Sequence, residues 1–163
     1  MINLSFPEFS FRVIRRGERK FIFDRVRRRY VALTPEEWVR QHMLHYLIDV
    51  LHYPSALMAV EKKLPELLGV KRADILIYDP TLVPWMIIEC KAPDVPIQEQ
   101  TWMQLIGYNF SVAEGWQKSP AAYLILTNGM QCAGIDCRSL PPRPLEAFPN
   151  WPATGASSAK MPE

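Results

Sequence analysis

The sequence predicts an α/β fold: a mixed β-sheet flanked by helices, with an N-terminal β-hairpin. Three observations carry this. Alternating residues flank Gly17 in "EFSFRVIRRGERKFIFD". A strong helix start stands at Thr34-Pro35. Beyond it, short apolar runs ending in Pro or Asn-Gly are interrupted by one long stretch of helical spacing, the pattern of strands crossing over through a helix.

The elements follow in chain order. Residues 9–30 read as a basic hairpin turned at Gly17. In "TPEEWVRQHMLHYLIDVLHYP", Thr34 caps, Pro35 suits the first helical position and Glu37 completes a capping box. That helix is expected to run to about His52 and stop before Pro54. At about 100° per residue, Glu36, Arg40, Met43, Leu44, Leu47 and Leu51 form its inward stripe. His42, His45, Asp49 and His52 fall on the opposite face, read as solvated. "ALMAVEKKL", "RADILIYD" and "WMIIECK" read as strands, the last two joined by a turn at Asp79-Pro80. "IQEQTWMQLIGYNFSVAEG" has helical spacing, with Trp102, Ile106, Phe110 and Ala113 as its apolar stripe and Gly115 as its stop. "AAYLILTNG" and "QCAGIDCR" supply two more strands.

With 163 residues, 48% hydrophobic and 22% charged, the chain is expected to be one domain over residues 1–139. A proline-rich tail, extended or disordered, follows over 140–163. No apolar run reaches membrane-spanning length, and "MINLSFPEFSFRV" lacks a basic-then-apolar leader. Cys90, Cys132 and Cys137 have no metal-site or disulfide spacing. Together these suggest a reduced, cytoplasmic protein that has no membrane partner.

Charge is unevenly placed. Residues 12–29 hold nine basic and two acidic side chains in a chain of net charge +2. Such a block, including Arg15, Arg16, Arg27, Arg28 and Arg29, suits a phosphate-rich partner. A hairpin with its arginines splayed into water would look the same.

Chemistry concentrates at the end of "WMIIECKAP". Side chains alternate along a strand, so Ile87, Glu89 and Lys91 share one face while Met86, Ile88 and Cys90 share the other. If "RADILIYD" pairs antiparallel with this strand about residues 79–84, Asp74 lies opposite Glu89. Two ionised carboxylates that close repel unless a cation lies between them. Oxygen ligands with open positions suit Mg²⁺, which keeps waters and accepts phosphate oxygens; Mn²⁺ is the expected substitute. Lys91 would then stand beside a metal-bound water, an arrangement for cutting a phosphodiester. The backbone carbonyl of Cys90 is available as a further ligand. The plain alternative is a strand-end ion pair among Asp74, Glu89 and Lys91.

"RADILIYD…PWMIIECKAP" resembles the PD-(D/E)xK nuclease superfamily. More closely, it resembles the N-terminal nuclease domain of type I restriction enzyme R subunits and their stand-alone relatives. The resemblance extends over roughly residues 5–138. It implies a restriction-endonuclease-like core in which Asp74, Glu89 and Lys91 are the motif residues, with Ala73 where the motif often has proline. Gln104 and Tyr108 match the Q-x-x-x-Y element of RecB-like nucleases, whose helical face borders the active site; a solvated polar face is the alternative. Glu36 resembles an acid carried on the first helix, four residues before an arginine, here Arg40. Glu61 stands where relatives carry a glutamate and is expected to line the cleft as a further metal ligand. Lys62 beside it is expected to touch phosphates, with a side chain that merely faces water as the alternative.

The implied activity is a Mg²⁺-dependent DNA endonuclease. The alternative is a catalytically silent, DNA-binding or assembly module of a restriction or defence system. Implied partners are DNA and other restriction-system subunits, with a homodimer as an open arrangement. No G-x-x-x-x-G-K-[ST] motif occurs in the chain, so the ATP-driven motor of the large subunits is not encoded in it.

Overall fold

A computed structural model describes residues 1–65 and 72–152. The fold has two sheets and two main helices. Strands β1 (Val13–Arg16), β2 (Arg19–Asp24) and β3 (Arg29–Ala32) form an antiparallel sheet in that order. The expected hairpin is present, with Gly17 at φ +58° in its turn. It gains the unexpected third strand β3. Asp24 makes that turn back possible: its buried carboxylate accepts from the Val26 and Arg27 amides at 2.8 and 2.6 Å.

Helix α1 (Pro35–His45) begins where expected, with Thr34 Oγ1 accepting from the Glu37 amide at 3.0 Å. The reciprocal half of the capping box is absent. The Thr34 amide donates to Ala32, and the Glu37 carboxylate turns inward to Arg27, Arg40 and Gln41. A π-helical turn (Tyr46–Val50) extends α1, and His52 at φ +56° ends it before Pro54.

The main sheet has strand order β4 (Met58–Lys63), β5 (Arg72–Tyr78), β6 (Pro84–Cys90), β7 (Tyr123–Thr127), β8 (Cys132–Asp136) and β9 (Arg143–Pro144). All pairs are antiparallel except β6–β7, which is parallel and joined through helix α2 (Glu99–Trp116). The sheet is therefore mixed. Ile75, Ile77, Met86, Ile88 and Cys90 pack with Val39, Met43, Leu44 and Leu47 of α1. Leu76, Ile87, Leu124 and Leu126 pack on the other face with Leu105, Tyr108 and Val112 of α2. Every residue of β6 is buried, as a central strand covered on both faces must be. No helix among the described residues is long and apolar enough to cross a membrane.

Three expectations need correction. The face of α1 carrying His42 and His45 is covered, because Phe6, Phe9 and Phe11 pack their rings against those imidazoles at 4.6–6.1 Å between centroids. In α2 the middle of the expected stripe points outward: Ile106 and Phe110 are exposed, Trp102 is half-buried against the α2-side core, and Leu105, Tyr108, Asn109 and Val112 are buried. Asn109 fixes this rotation by exchanging hydrogen bonds with both backbone groups of Ala121, at 3.1 and 2.6 Å. The helix also passes Gly115 and ends at Gln117, in the left-handed conformation.

The proline-rich segment is extended where described, and it is anchored. Leu145, Phe148 and Trp151 pack against the α1-side core, Tyr53 donates to the Pro149 carbonyl, and Trp151 Nε1 donates to the Tyr78 carbonyl at 3.2 Å. Residues 153–163 of the expected tail lie outside the described residues.

Candidate active site

The β5–β6 ladder pairs Ile77 with Met86 and Ile75 with Ile88. Continuing that register sets Asp74 across from Glu89, as the alternation predicts. Both carboxylates are buried, 8% and 4% exposed. Glu89 stands on the α2 face with Ile87, and Cys90 turns to the α1 face.

Each group has defined partners. Asp74 Oδ2 accepts the Cys90 amide at 2.7 Å, and Oδ1 accepts from Arg40 Nη2 at 2.6 Å. Glu89 Oε1 accepts from Lys91 Nζ at 2.7 Å and, more weakly, from Gln104 Nε2 at 3.4 Å. Gln104 also donates to the Tyr108 hydroxyl. Glu89 Oε2 is buried without a hydrogen-bond partner. An orphaned carboxylate oxygen in a protein interior is costly and calls for a partner.

Electrostatics point the same way. Burial, then the charge of Asp74, pushes the Glu89 carboxyl up to about 7, with Lys91 offsetting part of the effect. Burial and Asp74 also raise Glu36. Lys91 is raised: burial opposes its charge, but the hydrogen bond and charge of Glu89 outweigh it. Burial and Glu89 raise the Tyr108 phenol. A locus where several acids each disfavour the others' ionisation invites a cation.

A buried ion-pair network continues behind Asp74. Arg40 bridges Asp74, Glu36 (2.9 Å) and Glu37 (2.5 Å). Arg27 in turn joins Glu37 (2.6 Å), Asp24 (2.7 Å) and Glu61 (2.5 Å). A cleft of about 360 Å³ opens over this network, lined by residues including Arg29, Thr34, Glu36, Arg40 and Glu61. Glu61 sits at φ +51° within β4 and interrupts the ladder there: Val60 pairs with Ile75 and Lys62 with Ala73. That left-handed residue is costly for a non-glycine, and it stands in register with Asp74.

Of the residues singled out in the sequence, Asp74, Glu89, Lys91, Gln104 and Tyr108 come together, and Glu36 joins them through Arg40. Glu61 lines the cleft as expected, but one of its oxygens is committed to Arg27. Arg27 is a correction. Its guanidinium is 9% exposed and held by three carboxylates, so it is not open to a phosphate. Arg15, Arg16, Arg28, Arg29 and Lys62 are exposed. The sequence did not reveal that Arg40 would lie on Asp74. An arginine on an inward stripe, four residues after Glu36, was the available signal.

Among the described residues, no group of three or more His, Cys, Asp or Glu side chains is assembled around a common point for a metal ion. The donor chemistry nonetheless fits a hard divalent ion. Glu89 offers an unpartnered buried oxygen, Asp74 stands across from it, and Asp74 Oδ1 becomes available if Arg40 yields it.

Compared with known families, residues 35–149 match the model described as the type I restriction enzyme R protein N terminus. The match starts at α1, so the basic three-stranded sheet precedes it. No curated protein matches the chain.

Proposed function

Because this chain belongs to the family of the type I restriction enzyme R protein N terminus, which ties it to restriction systems, we propose that it is a metal-dependent DNA endonuclease of the PD-(D/E)xK type. The supporting observation is the Glu89 carboxylate: one oxygen is held by Lys91 Nζ and the other is buried and empty-handed opposite Asp74. Asp74, Glu89 and the Cys90 carbonyl would hold Mg²⁺, with Mn²⁺ able to replace it. Such an ion, when bound, supplies a lowered water pKa and neutralises charge on the phosphate.

The chain's own residues divide the remaining work. Lys91, kept protonated by Glu89, directs a donor toward the attacking water or the phosphate oxygens. Gln104 ties Glu89 to Tyr108, which fixes the carboxylate's rotamer. Exposed Arg15, Arg16, Arg28 and Arg29 grip phosphates without reading bases. For Asp74 Oδ1 to serve as a ligand, Arg40 would have to give it up while keeping Glu37 and Glu36. DNA is the substrate, and other restriction-system subunits are the expected partners.

One observation favours the second reading, a silent DNA-binding or assembly module: both Asp74 oxygens already have partners. Nicking of supercoiled plasmid separates the two. Wild type nicks in Mg²⁺ or Mn²⁺, while Asp74→Ala and Lys91→Ala remain folded and do not. Plasmid binding without nicking under either metal would favour the module.

A further inference from the structure

A second cleft, of about 410 Å³, opens on the α2 side of the edge strand β4, lined by Lys62, Lys63, Tyr78, Trp116 and Lys118. No acidic side chain is among its described lining residues. Lys62 Nζ lies 5.9 Å from the centroid of the Trp116 ring. Lys118 Nζ is held by the Leu82 carbonyl at 2.7 Å, which fixes its position at the rim. Trp116 is half-buried and packs into the same cluster as Tyr108, so its ring has a rigid support.

The cleft lies on the α2 side of the sheet toward the β5–β6 turn: Trp116 is about 18 Å along α2 from Gln104, and Tyr78 about 13 Å along β5 from Asp74. Lys62 pairs with Ala73, the residue before Asp74. Two strand spacings, about 10 Å, separate β4 from β6 and Glu89. Ammonium groups around aromatic faces match the chemistry of an unpaired polynucleotide: phosphates go to lysines and a base stacks on a ring. In a duplex the bases are already stacked and cannot reach such a ring without being extruded.

We propose that this cleft holds an unpaired segment of the nucleic-acid strand a few nucleotides away from the scissile phosphate, with a base on Trp116 and flanking phosphates on Lys62 and Lys118. The inference rests on the nuclease reading only in taking the bound segment to belong to the strand that is cut. Its test is therefore run in EDTA, where cleavage plays no part.

The probe is a fluorescein-labelled oligothymidine of about 12 nucleotides, with a duplex of equal length beside it, followed by anisotropy across a salt series. Trp116→Leu, which keeps apolar packing, weakens oligothymidine binding about tenfold or more and leaves the duplex unchanged. Trp116→Tyr retains binding. Lys62→Gln and Lys118→Gln each reduce the salt slope by about 0.7. The proposal is overturned if wild type does not bind oligothymidine in EDTA or Trp116→Leu binds it like wild type. It is equally overturned if a polyglutamate peptide displaces the probe as well as unlabelled oligothymidine does. Plasmid nicking in Mg²⁺, scored separately, decides only the nuclease reading.

Discussion

Arg40 Nη2 lies 2.6 Å from Asp74 Oδ1 and 2.9 Å from Glu36 Oε1, so one buried guanidinium occupies the oxygen that a shared cation would need. Metal and arginine therefore compete for Asp74. Arg40→Gln leaves Glu37 and Asp74 buried with less compensation and is expected to destabilise the metal-free fold by about 3 kcal/mol in urea unfolding. Millimolar Mn²⁺ should restore more stability to Arg40→Gln than it adds to wild type, because an ion that binds only the folded state raises its apparent stability. Equal Mn²⁺ effects on both proteins would show that Arg40 does not guard the site.

The Glu89 carboxyl gives a pH signature in the metal-free protein. Its folded value, about 7, exceeds the ordinary 4.5, so folding is favoured while the group is protonated. That stability is fully present below about pH 4.5 and is lost as pH rises toward and through 7. Glu89→Gln removes the dependence. In EDTA it should therefore be more stable than wild type near pH 8, by roughly 2–3 kcal/mol, and nearly equal to it near pH 4.5. Parallel pH–stability curves for the two proteins would contradict this.

Helix α2 offers a direct check of which side faces the sheet. Leu105 is fully buried and Phe110 is 56% exposed. Leu105→Ala should cost about 2–5 kcal/mol, whereas Phe110→Ser should change stability by no more than about 0.5 kcal/mol. The reverse order would restore the outward stripe to the core.

That helix also marks where the sequence stopped being informative. It carries apolar residues on two sides, Trp102, Ile106, Phe110 and Ala113 on one and Leu105, Tyr108 and Val112 on the other. Periodicity alone cannot say which side the sheet takes, and the deciding contact, Asn109 with Ala121, lies beyond the helix. The strands were easier to read because β5, β6 and β7 are apolar runs ended by turn residues. The short Asp79-Pro80 turn set the register that brings Asp74 to Glu89. Strand β3 was hidden because four residues beginning in a run of arginines read as charge. The phenylalanines over His42 and His45, and the burial of Arg27 beside the exposed Arg28, depend on contacts distant in sequence.

The proline-rich segment makes another prediction. Ending the chain after Ser139 removes Leu145, Phe148 and Trp151 from the core and takes the Pro149 partner from Tyr53. Each large apolar side chain contributes about 1.5–3 kcal/mol when fully buried, and these are partly buried. The truncated protein should unfold at a clearly lower urea concentration with a smaller dependence on denaturant. An unchanged midpoint would make the segment a dispensable tail.

The sharing of one ion by Asp74 and Glu89 is tested most directly by anomalous diffraction from a crystal soaked in Mn²⁺. A peak is expected about 2.0–2.2 Å from Asp74 Oδ1 and Glu89 Oε2, with the Arg40 guanidinium withdrawn from Asp74. Full Mn²⁺ soaking with no peak there, and Arg40 still on Asp74, would contradict it.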